Sequence, residues 1–76
     1  MDYNEFCEVY EKALRSQNWT VCQDAVGYRI GTVRLEARGC PEEARPLIEL
    51  EMKDLRVKAS VLEANIESAE KVGAVA

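Results

Sequence analysis

The sequence has no histidine, two prolines, four glycines, one phenylalanine and one tryptophan among its 76 residues. Without imidazole it lacks the side chain that titrates near neutrality by default and that most often completes a zinc site. No run approaches the roughly 18 consecutive apolar residues of a membrane-crossing helix, so no membrane partner is expected. Neither half is basic. Residues 1–38 hold six acids against five bases and residues 39–76 hold eight against five, for a net charge of −4. Proteins that live on phosphate contacts normally show a basic face, and the only local excess is Arg29, Arg34 and Arg38, interrupted by Glu36. Nucleic acid is therefore not expected as a partner.

Cys7, Cys22 and Cys40 are odd in number and spaced too widely for a Cys-x-x-Cys pair. They read as free thiols acting as small core residues, with no metal site among them. The acidic start Met1-Asp2-Tyr3-Asn4-Glu5 is unlike a secretory or mitochondrial leader, so a cytoplasmic location is expected. With 47% hydrophobic and 32% charged residues the chain is too apolar for a disordered tail. At this length it forms one small domain, 1–76, able to bury only about 60% of its extended-chain surface.

The periodicity predicts a first helix over about 3–17, with Tyr3, Phe6, Cys7, Tyr10, Ala13, Leu14 and Gln17 recurring at steps of three and four. Residues 20–38 are ambiguous. Thr20-Val21-Cys22-Gln23 has the form of a capping box, and Cys22, Val26, Ile30, Val33 and Ala37 fall within a sector of about 80° on a helical wheel. Gly39 would then supply a left-handed C-terminal cap, with Pro41 opening the next helix. Against a helix stand Gly27 and Gly31, each costing about 1 kcal/mol in a helix interior. A β-hairpin over 19–35, turning at Asp24-Ala25-Val26-Gly27, competes, although its strands do not keep a constant face. The dominant element is a long helix over about 42–72, with residues 73–76 as a frayed tail. The expected fold is all-α: a short N-terminal helix, a middle helix and a long C-terminal helix in an antiparallel hairpin with coiled-coil-like packing. The alternative is α-β-β-α.

Ile48, Met52, Leu55, Ala59, Leu62, Ile66 and Ala69 follow at steps of 4, 3, 4, 3, 4 and 3, a heptad seam. Glu51 and Lys58 flank it on one side and Arg56 and Glu63 on the other, and in a parallel pair Glu51 would meet Arg56 and Lys58 would meet Glu63. A second stripe, Leu47, Leu50, Val57, Val61 and Ala64, lies nearly opposite and is interrupted by Asp54. So short a chain has few elements with which to cover both, and long exposed apolar stripes mark interfaces. Self-association through Ile48, Met52, Leu55, Ala59, Leu62 and Ile66, with Glu51, Arg56, Lys58 and Glu63 setting register, is the leading expectation. A compact bundle with both stripes internal is the competing one.

The charged pairs Glu49 with Lys53, Asp54 with Lys58 and Glu67 with Lys71 have the i, i+4 spacing of a solvated helix face. No nucleophile has a base beside it, so no catalytic residue, cofactor or enzymatic activity is expected. The stretch Arg38-Gly39-Cys40-Pro41-Glu42-Glu43 between two helical runs resembles the turn in the small helical-hairpin co-chaperones of type III secretion, a family that shields a needle subunit. With a hairpin at 19–35, the order helix, hairpin, helix resembles small phage head–tail joining proteins, which add to a ring at the capsid portal. These patterns point to a non-enzymatic adaptor or assembly protein whose partners are itself and a second protein. The alternative is a small acidic regulatory binder, inhibitor or chaperone of a larger complex, including the phage type that serves as a structural connector or host-factor inhibitor.

Overall fold

Asp2 starts the first helix: its backbone is extended and its carboxylate accepts a hydrogen bond from the Glu5 N–H at 2.8 Å, satisfying one donor that the first turn leaves without a partner. In this computed structural model, which describes residues 1–75 and the side chains of residues 1–71, α1 spans Tyr3–Arg15. Its apolar face buries Phe6 and Ala13, and Phe6 stacks on Tyr10 at 5.3 Å between ring centroids. Lys12 and Arg15 in the last turn complement the helix dipole.

The corner after α1 is a Schellman turn. The Asn18 N–H donates to the Ala13 carbonyl at 2.8 Å and the Gln17 N–H to the Leu14 carbonyl at 3.1 Å. This geometry puts Gln17 in the left-handed region at φ 56°, where a side chain is strained and glycine is usual. Asn18 then caps α2, its side-chain oxygen accepting from the Val21 N–H at 3.3 Å. The cap is thus Asn18 and not Thr20, because the tight corner places the amide of Asn18 over the first free N–H groups.

α2 spans Trp19–Arg38, which settles the ambiguous stretch as helix, and no strand occurs among the described residues. The predicted face is buried at Cys22, Val26 and Val33 and half-buried at Ile30, while Ala37 is exposed. Ala25 and Arg29 join the buried set. Gly27 and Gly31 face solvent with no atom within 4 Å of where a Cβ would stand. Neither serves close packing, so packing of the opposite face offsets their intrinsic cost. Gly39 ends the helix at φ −116°, so the left-handed glycine cap expected there is absent; its N–H bonds to the Glu36 carbonyl at 3.3 Å instead.

Pro41 leads into a single 3-10 turn at Glu42–Ala44, and α3 follows over Arg45–Val75. Pro46 lies in the first turn of α3, where its missing N–H removes no intrahelical bond. The expected start at 42 is therefore 3-10 and not α-helix. Of the frayed tail expected at 73–76, residues 73–75 continue α3 and residue 76 lies outside the described residues. α1 and α3 each pack on α2, which makes α2 and α3 the two arms of a helical hairpin with α1 laid along it. The core is Phe6 and Ala13 from α1, Cys22, Ala25, Val26 and Val33 from α2, and Leu55 and Leu62 from α3. The molecule measures 52 × 19 × 15 Å, its length set by α3, which at 1.5 Å per residue runs about 46 Å.

Candidate functional site

The heptad seam of α3 faces α2. Leu55 and Leu62 are fully buried, and Ile48, Met52 and Ala59 are half-buried against the same core. Ile66 is half-buried near the α1–α2 corner, where it shares a surface depression with Trp19. Ala69 is exposed. Within the chain, α2 fills the position that a second copy was expected to take along this seam. The flanking charges follow suit. Glu51 is bound by Arg29 of α2 and Lys58 by Asp54 of its own helix, while Arg56 and Glu63 are exposed on the surface.

Arg29 makes the principal polar junction. Its Nε and Nη2 donate to Glu51 at 2.9–3.1 Å in a forked arrangement, its Nη1 donates to the Met1 carbonyl at 3.1 Å, and the guanidinium stands 5.7 Å from the Tyr3 ring centre. The Met1 amino group in turn donates to Thr32 Oγ1 at 3.0 Å. One side chain of α2 therefore ties the start of α1 to α3. Arg29 is buried, and every buried side-chain nitrogen and oxygen among the described residues has a hydrogen-bond partner. Such an arginine is already neutralised and is not presented to a phosphate. Its position was legible, since Arg29 lies three residues after Val26 and four before Val33 on the buried face.

A lesser junction joins Tyr10, Lys58 and Asp54. The Lys58 ammonium bonds to Asp54 and lies 5.9 Å from the Tyr10 ring centre. The hydrogen bond to Asp54 raises the Lys58 pKa, and burial raises that of the Tyr10 hydroxyl. Tyr10 and Trp19 pack on the core, whereas Tyr3 is more than half exposed.

The thiols divide in the same way. Cys22 is fully buried and burial pushes its pKa up, so it is a core residue. Cys7 and Cys40 are half-buried and all three are free. No group of three or more potential ligands converges on a metal position among the described residues, and no helix among them is long and apolar enough to cross a membrane.

What remains uncovered is the second stripe of α3. Leu47, Leu50, Val57 and Val61 are 71%, 65%, 55% and 53% exposed, and Ala64 continues their line. Asp54 sits mid-stripe, and Leu50, Lys53, Asp54 and Val57 line a surface depression.

No protein-family model, curated protein or solved structure matches this chain.

The candidate site is accordingly defined by exposure. Four large aliphatic side chains on one helix line, each more than half in water and crossed once by Asp54, form an apolar strip of the kind that marks a binding surface. Val21, Tyr28 and Leu35 of α2, at 38%, 69% and 66% exposure and seven residues apart, make a sparser line of three.

Proposed function

We propose that the chain is a non-enzymatic helical assembly protein that works by offering an apolar helix face to another protein surface, a copy of itself included. The observation that carries this reading is the exposure of Leu47, Leu50, Val57 and Val61 along α3, while Leu55 and Leu62 on the same helix suffice for the core. An aliphatic side chain gains about 1.5–3 kcal/mol on full burial, so four of them in line are a substantial driving force for association. The contact surface is thereby the outer stripe of α3, in place of the inner seam formed by Ile48, Met52, Leu55, Ala59, Leu62 and Ile66.

The test is solution mass by light scattering across a dilution series, for the native chain and for a variant with Leu50→Asp and Val57→Asp. Mass that exceeds 8.6 kDa at high concentration and collapses to it in the variant, with helical circular dichroism unchanged, supports the reading. A native chain that stays at 8.6 kDa throughout rules out self-association as its working mode.

A further inference from the structure

We infer that the occupant of the outer stripe is the same stripe of a second copy, running antiparallel about a two-fold axis near residues 55 and 56. This rests on the proposed role of the stripe as a contact surface and adds the identity and direction of the partner. Three features of the stripe select that arrangement.

The first is spacing. Positions 47, 50, 54, 57, 61 and 64 follow at steps of 3, 4, 3, 4 and 3, which reads the same in both directions. A copy turned end over end therefore brings every layer into register: Leu47 with Ala64, Leu50 with Val61 and Asp54 with Val57, each twice. The second is bulk. The large residues stand at one end of the stripe and the small at the other, so antiparallel pairing sets Leu47 against Ala64 and keeps the helix separation even. Parallel pairing would stack Leu47 on Leu47 at one end and Ala64 on Ala64 at the other, splaying the helices.

The third is charge. In a parallel pair Asp54 would face Asp54 in the middle of an apolar contact, where two like charges are strongly unfavourable. The antiparallel pair offsets the two aspartates by three residues, about 4.5 Å along the axis, and brings Lys58 of the second copy, one residue beyond Val57, within reach of Asp54. Each aspartate then lies between its own Lys58, which it already binds, and that of the other copy. The charge that interrupts the stripe becomes the element that fixes direction, as single polar residues do in coiled coils.

Six layers extend over about 26 Å of helix, and such a contact buries on the order of 1,000 Å² in total, near the lower bound for a specific interface. The expected dimer is therefore weak and reversible, with a dissociation constant in the micromolar range.

The experiment uses the full chain with Cys7→Ser and Cys40→Ser, leaving only the buried Cys22, and adds Leu50→Cys or Val61→Cys at the exposed stripe. Mass is measured first, and the single variants and their equimolar mixture are then oxidised mildly and run without reductant. In the antiparallel pair the two copies of Val61 stand 11 residues apart, about 16 Å, well beyond the roughly 7 Å that a disulfide can span between Cα atoms. The expected result is a dimer in which neither variant links to itself and the mixture gives the linked species. A dimer in which each variant links to itself is parallel. That result overturns the arrangement and leaves the contact surface standing. A dimer that links in no combination places the contact elsewhere and overturns both, whereas a chain that stays monomeric at millimolar concentration overturns the pairing and leaves the stripe as a face for a different protein.

Discussion

α3 carries two apolar faces that resemble each other in spacing and composition, and the fold buries one and exposes the other. The inner face holds Leu55 and Leu62 at 1% exposure each, and the outer holds Leu50 and Val57 at 65% and 55%. Heptad spacing alone does not separate them. Their polar neighbours do, because the inner face is bordered by Glu51, which Arg29 of α2 binds in a fork, whereas the outer is crossed by Asp54, whose partner Lys58 lies on its own helix. A charge that finds its counter-charge on a neighbouring helix helps hold that helix in place. One satisfied within its own helix leaves the face uncommitted.

The largest effect expected from this contrast is on packing. Leu55→Ala should lower unfolding stability by about 2–5 kcal/mol, since it empties a fully enclosed site. Leu50→Ala, measured by the same urea titration at a concentration where the chain is monomeric, should stay within about 0.5 kcal/mol. Equal losses at the two positions would break the comparison.

Next in size is the inner ion pair. Glu51→Gln leaves the buried guanidinium of Arg29 without its counter-charge and should cost about 2 kcal/mol. Combining Glu51→Met with Arg29→Met should recover most of that loss in the same titration, because replacing both partners of such a pair by apolar residues is close to neutral. A smaller effect of opposite sign is expected on α2. Gly27→Ala and Gly31→Ala introduce a methyl group where nothing stands within 4 Å, and each should raise the midpoint of thermal unfolding, by about 0.5–1 kcal/mol in stability.

The smallest effect belongs to the outer pair. Asp54→Asn should cost a few tenths of a kcal/mol near neutral pH, as exposed i, i+4 pairs do. Because Asp54 raises the Lys58 pKa above its ordinary value of 10.5, the contribution is fully present below that value and is lost as pH rises through the raised one. Native and Asp54→Asn chains should therefore converge in stability on the alkaline side.

Much of this architecture was legible in residue spacing. The positions of α1 and α3 follow from apolar recurrence, and the buried face of α2 was visible at Cys22, Val26 and Val33 despite two glycines that argued for a hairpin. Those glycines weighed against the helix without deciding the matter, because intrinsic propensity is a local quantity, while burial on the opposite face favours helix over hairpin. The cap at Asn18 was missed because Thr20-x-x-Gln23 offers the same chemistry two residues later. What selects Asn18 is the turn at Gln17, a conformation that no glycine announces. The two stripes of α3 were both readable, but the bond between Arg29 and Glu51 that borders the inner one joins residues 22 positions apart, a pairing no local pattern encodes.

The order of packing has a further consequence for how the chain reaches its native state. Each helix backbone lies against its neighbour in sequence, α1 on α2 and α2 on α3, joined by a three-residue corner and a short 3-10 turn. Little loop-closure entropy opposes either pairing, and topologies with such low contact order fold in microseconds to milliseconds. Either corner can serve as the starting point. During synthesis, α1 and α2 can zip together before α3 has been translated, and α3 then docks its inner face onto a hairpin already waiting for it.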